Sequence, residues 1–339
     1  MDQFHKALLQ ENPLSDIFGQ QEAKDNLRSA LLAGRHVIIV GPPGIGKTTI
    51  AKNVAKLLPD MQLNACAYHC SPDAPTCPEC KTGTPKKRMV TGAKRFVRIQ
   101  GSPDLTVEDM LGDIDPVKAL KFGPLSIEAF TPGKVFKANN GILFFDELNR
   151  CPEKLQNALL QVLEERRATI GAYDIDLVAN FVFIGTMNPE DSSTERLSDV
   201  LLDRFDVITM DHPDTQDIEV SIVKAKSTDL GAAVPDDILE LAVAFVRKIR
   251  ASDKVEKRPG VRATMGLYER AQANALIKNR ARATLSDVQD AIISVLAHRI
   301  KLKPSVHYLK TSEDFVREEL AAFFKDRSIL TTPTQKDGG

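Results

Sequence analysis

Two stretches of this chain bring together residue types that handle polyphosphates. GPPGIGKTT (41–49) follows the apolar run HVIIV (36–40) and precedes the helical pattern AKNVAKLL, so Gly41, Pro42, Pro43, Gly44, Ile45, Gly46, Lys47, Thr48 and Thr49 lie between a strand and a helix. Glycines there let backbone N–H groups turn inward around phosphates, Lys47 brings positive charge for the β- and γ-phosphates, and the Thr48 hydroxyl can ligate Mg2+. GILFFDELNR (141–150) runs four apolar residues straight into Asp146 and Glu147. Beside a phosphate loop, the first acid is expected to hold Mg2+, directly or through water, and the second to polarise the attacking water. Adjacent acids at a strand end can also simply cap the helix that follows.

Three further groups extend this site. FVFIGTMNPED (181–191) ends an apolar strand on Thr186 and Asn188; the amide can orient water or touch the γ-phosphate, or Asn-Pro can merely make a turn. In LLDRFDV (201–207), Arg204 either pairs with Asp203 or Asp206 or, in a ring of subunits, reaches the neighbour's γ-phosphate. Arg262, in RPGVRAT (258–264), opens a helix from which it can close over the nucleotide.

A separate cluster lies in CAYHCSPDAPTCPEC (66–80). Cys66 and Cys70 are separated by three residues and Cys77 and Cys80 by two, a spacing that brings four thiolates round one tetrahedral ion. Structural Zn2+ is the first reading; an iron–sulfur cluster, His69 in place of one cysteine, and free or disulfide-linked thiols are the alternatives. Cys151 stands apart as a packed residue.

The elements that must position these residues are legible as patterns. HVIIV (36–40), RFVRIQ (95–100), GILFFD (141–146), NFVFIGT (180–186) and FDVITM (205–210) are short apolar runs suited to strands buried on both faces. Helical stretches between them imply a mostly parallel sheet flanked by helices. After HPDTQD (212–217), Ile238, Leu241, Ala242, Phe245, Val246 and Ile249 recur at helical spacing. Further helical blocks run from Arg262 to Ile277 and from TLSDVQDAI, where Thr284 or Ser286 can cap.

Composition bounds the rest. A chain of 339 residues with 42% hydrophobic and 27% charged residues has enough length for two domains. A net charge of −1 gives no general attraction to nucleic acid or anionic membrane. The N-terminus lacks a signal pattern and no apolar run approaches the ~20 residues of a membrane span, so a cytoplasmic protein is expected.

Together, the loop at 41–48, ILFFDE (142–147), Asn188, Arg204 and Arg262 resemble the AAA+ superfamily of ring-forming ATPases, nearly end to end. LGDIDPVKAL (111–120), AFTPGKVFKANNGILFFDELN (129–149), GTMNPE (185–190), LLDRFDV and PGVRATMGLYERAQANAL (259–276) resemble the ATPase subunit of magnesium chelatase and the related MoxR proteins. NRCPEKLQNALLQVLEERRATI (149–170) is nearer to MoxR and general AAA+ wording, and the cysteine loop departs from the chelatase pattern.

The change of pattern after HPDTQD sets a boundary near 212, giving an α/β phosphate-loop domain over 1–212, a helical lid over 213–305, and a C-terminal helix with a frayed tail over 306–339. Within the first domain the cysteine loop is read as an insertion over 60–92, and the resemblance implies a helix-two insertion at about 103–135 and a hairpin near 168–180, the latter two facing a pore or partner. Asn188 would be sensor one, Arg204 an arginine finger, Arg262 sensor two, and IFGQ (17–20), with Phe18 and Gly19, the segment against adenine. It further implies a Mg2+-dependent ATPase working as a homo-oligomer, a hexameric ring, that remodels a von Willebrand A-type protein. The most specific form is the motor of a magnesium chelatase with a porphyrin-binding subunit; the alternative is a MoxR-type chaperone maturing a metalloenzyme or complex. A nucleic-acid motor is disfavoured by the neutral charge and the absence of an aromatic–basic stripe.

Overall fold

A computed structural model describes residues 3–124, 126–169, 176–189 and 197–330. The chain divides into two compact units, one of residues 1–42 and 46–211, the other of 43–45 and 212–339.

In the first unit, all five apolar runs become strands of one parallel sheet: β1 (His36–Val40), β2 (Phe96–Gln100), β3 (Ile142–Asp146), β4 (Val182–Met187) and β5 (Phe205–Thr209). The order across the sheet is β5-β1-β4-β3-β2. Each parallel pairing requires a crossover that covers a sheet face, which is why Ile142, Leu143, Phe144 and Phe145 are all apolar and all fully buried. Helices Gln21–Leu32, Lys47–Leu57 and Glu153–Glu165 turn their apolar faces inward, with Leu27, Ile50, Val54 and Leu159 inaccessible to solvent.

The order places β1, β4 and β3 side by side, so the phosphate loop, the Thr186–Asn188 segment and the two acids leave neighbouring strands at their carboxyl ends. Open parallel sheets bind ligands at that end.

Among the described residues, three antiparallel strand pairs decorate this unit. Met61–Asn64 pairs antiparallel with Lys87–Val90, and the cysteine loop spans them. In the 103–135 region, Gly112–Ile114 pairs with Phe130–Pro132 around an exposed helix, Pro116–Phe122. Arg167–Thr169 pairs with Asp176–Val178 where a hairpin is expected, and its tip, 170–175, is outside the described residues.

The second unit is built of helices Gln216–Lys226, Asp236–Ala251, Val261–Ile277, Leu285–Leu296 and Ser312–Leu330. Phe245, Val246, Ile249, Leu267, Ala271, Ile292 and Leu296 form its core, while Leu241 is only partly buried. Phe315 and Val316, from the last helix, are fully buried in that same core. Of the two candidate caps it is Thr284 that acts: its backbone N–H donates to Asp287 Oδ2 (2.8 Å) in a capping box. Residues 331–339, the expected frayed tail, lie outside the described residues. Among the described residues no helix is long and apolar enough to cross a membrane.

Candidate nucleotide site

The loop after β1 is held at its root by the sheet. Gly41 N–H donates to the Met187 carbonyl (3.3 Å), and Met210 N–H donates to the Val40 carbonyl (2.8 Å). Gly46 precedes helix Lys47–Leu57 with φ of 101°, a left-handed backbone open to glycine at no steric cost. The first turn of that helix therefore presents free N–H groups and the positive end of its dipole, with Thr48 and Thr49 in it. Lys47 Nζ donates to the carbonyls of Gly41 and Pro42, the latter at 2.8 Å, which holds its ammonium within the loop. The tip, Pro43–Ile45, groups with the second unit, where a Cβ added to Gly44 would stand 3.0 Å from Arg262 Cγ. Arg262 itself is exposed on the first turn of Val261–Ile277.

On the adjacent strand β4, one hydroxyl organises both acids. The fully buried Thr186 donates to Asp146 Oδ1 at 2.6 Å and accepts from the Glu147 N–H at 3.0 Å. Arg98 Nη2 lies 2.5 Å from Asp146 Oδ2, and Gln100 Nε2 donates to Glu147 Oε2 at 2.9 Å. Arg150 is 3.2 Å from the same Glu147 oxygen. Glu147 has φ of 56°, a conformation that costs a non-glycine residue about 1–2 kcal/mol and is held here by the Thr186 contact. Gly101 makes this turn possible: its N–H donates to the Asp146 carbonyl (2.7 Å), and a Cβ on it would fall 2.0 Å from the Glu147 carbonyl oxygen. The helix-capping alternative is not realised by Glu147, whose side chain makes no cap hydrogen bond to the turn Leu148–Arg150.

Asn188 follows the end of β4, and its carbonyl accepts from Asn149 Nδ2 at 3.4 Å. Asn149 is buried, and its Oδ1 has no hydrogen-bond partner among the described residues. Phe18 and Gly19 sit in a turn with two left-handed residues in succession, Gly19 (62°) and Gln20 (57°); Gln20 Nε2 donates to the Asp211 carbonyl at 2.5 Å, tying this segment to the end of the sheet domain.

Arg204 lies elsewhere. It precedes β5, whose first residue Phe205 pairs with His36 at the start of β1, so it sits at the amino ends of strands whose carboxyl ends bear the phosphate loop. Five strand residues at ~3.3 Å each put about 16 Å between those ends. Within the chain, Arg204 Nε donates to Glu164 Oε1 (2.6 Å) and Nη1 to Asp203 Oδ2 (3.3 Å), while Asp206 pairs with Arg35 (3.2 Å). Glu164, Asp203, Arg35 and Arg166 line a surface concavity of about 390 Å³ with Arg204.

The four cysteines converge. Cys66, Cys70, Cys77 and Cys80 are buried, unpaired as disulfides, and their Sγ atoms all lie within 4.8 Å of one another; His69 is not part of the group. Burial pushes the Cys77 thiol well above its ordinary value and the Cys80 thiol up to about 11. A bound cation reverses that preference by stabilising thiolates, so the donor set fits a tetrathiolate metal ion. Cys151 is fully buried and outside the cluster, as a packed residue should be.

Sequence reading missed Arg98, Gln100, Asn149 and Glu164. The first two carry a usable signal, because polar residues at alternate positions near the end of a buried strand must face something polar. Asn149 and Glu164 carry none, since only the tertiary fold brings them to Asn188 and Arg204.

Family comparisons agree with this geometry. Residues 76–207 match the ATPase family associated with various cellular activities (AAA), residues 13–70 match magnesium chelatase subunit ChlI, and residues 247–319 match an AAA lid domain. The chloroplastic magnesium-chelatase subunit ChlI of Chlamydomonas reinhardtii is 30% identical over 86% of this chain and 76% of its own length. The magnesium-chelatase 38 kDa subunit of Acidiphilium rubrum is 27% identical over 94% of this chain and 98% of its own. Among solved structures, a point mutant of Thermotoga maritima RuvB shares the fold, with a TM-score of 0.50 at 18% identity over 85% of this chain and 74% of that one. The chain therefore belongs to the AAA+ ATPases of the magnesium-chelatase ChlI type.

Proposed function

We propose that this protein hydrolyses ATP as a homo-oligomeric ring, a hexamer in the cytoplasm, and uses the cycle to remodel a partner protein. The observation that carries the reading is the junction at Thr186 on β4, the strand that lies between the one leading into the phosphate loop and the one ending in the two acids.

In this reading the backbone N–H groups of 44–48 and Lys47 bind the β- and γ-phosphates. Thr48 and Asp146 hold Mg2+, which when bound neutralises charge on the phosphate oxygens. Glu147 accepts a proton from the attacking water, and Asn188 orients that water. Arg204, being at the far end of its own sheet, serves the site of the adjoining subunit, exchanging Glu164 for a γ-phosphate oxygen. Arg262 binds phosphate from the helical unit, and Phe18 with Gly19 flank the base. A structural Zn2+ held by Cys66, Cys70, Cys77 and Cys80 completes the cofactors.

The motor subunit of a magnesium-chelatase-like complex is the specific role we favour, supported by the relatives that carry that name. Its partners would be a von Willebrand A-type subunit and a porphyrin-binding subunit. The test is Glu147→Gln: the variant should bind ATP with parental affinity, release no phosphate, and lock the ring. Loaded with ATP and added to purified chelatase partner subunits, it should join them and block Mg2+ insertion by the parent. Parental turnover in the variant sinks the assignment of Glu147; a stable ring that ignores porphyrin machinery but holds an A-type protein moves the chain to the MoxR-type chaperones.

A further inference from the structure

Resting on the zinc reading above, we propose that the metal at Cys66, Cys70, Cys77 and Cys80 clamps the starts of β3 and β4, the two strands whose far ends carry Asp146, Glu147 and Asn188. The clamp acts through the carbonyls of Tyr68 and His69 and the side chains of Asn139 and Asn140.

The cluster is built to take an ion. Four ligands at ~2.3 Å in a tetrahedron place sulfurs about 3.8 Å apart, so sulfurs already within 4.8 Å need only small adjustments. Donors are aimed at two of them: Cys70 N–H points at Cys66 Sγ (3.4 Å), and Thr76 N–H points at Cys70 Sγ (3.5 Å), with Thr76 Oγ1 3.2 Å from that same sulfur. Such contacts orient and stabilise metal-bound thiolates. Between Asn64 and Lys87 the only helix is the five-residue Pro78–Thr82, and turn hydrogen bonds such as Asn64 N–H to the Cys70 carbonyl (2.9 Å) hold the rest of the loop. Fixing a loop of that length has an entropic cost that a metal cross-link offsets.

What the loop touches gives the metal its role. Tyr68 and His69 lie between the two cysteines of the first pair. Asn139 Nδ2 donates to the Tyr68 carbonyl (3.2 Å), and Asn140 Nδ2 donates to the His69 carbonyl (3.0 Å). The Tyr68 ring packs 5.9 Å from that of Phe136. The same two asparagines bind the chain before β4: Asn180 N–H donates to Asn139 Oδ1 (3.0 Å), and Asn140 N–H donates to the Asn180 carbonyl (2.7 Å). Ile142 and Val182, two residues beyond each junction, are paired as the first rung of β3 against β4. Loop, β3 and β4 are thus tied at one point. Without the ion nothing cross-links the four sulfurs, the loop is held less well, the asparagine amides lose fixed acceptors, and the first rung of both strands loosens.

The test is hydrogen exchange on the full chain, with metal content measured in parallel by mass spectrometry. Asn140→Gly is the companion variant: it deletes the amide while keeping the left-handed backbone (φ 61°) open to residue 140. We expect one zinc per chain in parent and variant. Stripping it with a zinc-selective chelator should raise exchange across 141–146 and 180–187 by about tenfold or more and leave 238–250 unchanged. In Asn140→Gly those strands should already exchange faster, and stripping should add little. Absence of bound zinc, or iron in its place, overturns the zinc reading and the clamp together. Zinc present but strand protection indifferent to its removal overturns the clamp alone. The ATPase reading stands or falls separately, on Glu147→Gln.

Discussion

The Thr186 hydroxyl donates to Asp146 Oδ1 at 2.6 Å, from a side chain with no solvent exposure. Because the same oxygen accepts the Glu147 N–H, a single buried hydroxyl sets the direction of one acid and the strained backbone of the next. Residues that orient a metal ligand from behind are typically worth about 10–100-fold in activity.

Thr186→Val keeps the shape of the side chain and removes the hydroxyl. Steady-state turnover should fall by about 10–100-fold, with ATP affinity changed little and secondary structure intact by circular dichroism. Turnover within about twofold of the parent would show that Asp146 and Glu147 are positioned by Arg98, Gln100 and Arg150 alone.

Arg204 offers a test in trans. Arg204→Ala should cost about 10³-fold or more in turnover while leaving nucleotide binding unchanged. Mixed with Glu147→Gln, however, it should recover part of the activity, because a ring containing both presents an intact Arg204 to an intact Glu147. Failure of the mixture to exceed either variant alone, with mixed rings confirmed by native mass spectrometry, removes Arg204 from the neighbour's site.

In the helical unit, Glu219 is fully buried and pairs with Arg250 through two hydrogen bonds, 2.8 and 2.9 Å, while Thr264 Oγ1 donates to it at 2.6 Å. Arg250 Nε also donates to the Pro259 carbonyl, so the network braces the turn that leads to Arg262. Glu219→Ala strands a buried guanidinium and should lower stability by about 3–5 kcal/mol, read as a shift of the urea midpoint.

Acid should act on the same unit. Burial alone would raise the Glu219 and Asp287 carboxyls, but for Glu219 the Arg250 bonds, and for Asp287 the Arg280 and Thr284 bonds, hold them below the ordinary range. Depressed carboxylates contribute stability that is present above their unfolded values, 4.5 and 3.8, and lost as pH falls through the folded ones. The urea midpoint of this unit should therefore hold from about pH 7 to 5 and drop steeply below about pH 4.5.

His36 sets an earlier threshold in the sheet domain. Its Nδ1 accepts the Phe183 N–H at 3.2 Å, and burial, then Arg166 and Arg35, lower its pKa from 6.5 to about 4. The neutral form is favoured in the fold, so stability is complete above pH 6.5 and is lost between there and pH 4, by up to about 3 kcal/mol. His36→Asn should flatten the pH dependence of the first unit's unfolding in that window; an unchanged slope means His36 is not its source.

Much of the candidate site was legible because its chemistry is local. GPPGIGKTT carries its phosphate-binding character in contiguous residue types, since glycine conformations, a helix amino terminus and a lysine at fixed offset need no distant partner. ILFFDE reads as a buried strand ending in two acids for the same reason, and the convergence of Cys66, Cys70, Cys77 and Cys80 follows from two short spacings. Thr186, Arg98 and Gln100 meet the acids only through strand order and register, with Gln100 opposite Asp146 and Gly185 opposite Phe145. Register is a long-range pairing choice that a one-residue slip would reverse, so no single segment encodes it. The partners of Arg204 divide the same way: the pairing with its neighbour Asp203 (3.3 Å) is local, whereas helix packing delivers Glu164 and the sheet sends Asp206 to Arg35. The sequence by itself determined which residues carry side chains of the types suited to phosphate, metal and water, because those types reside in short stretches of chain. Only the tertiary structure decided which residues hold them in place and at which end of the sheet each one works, because both depend on contacts between segments far apart in the chain.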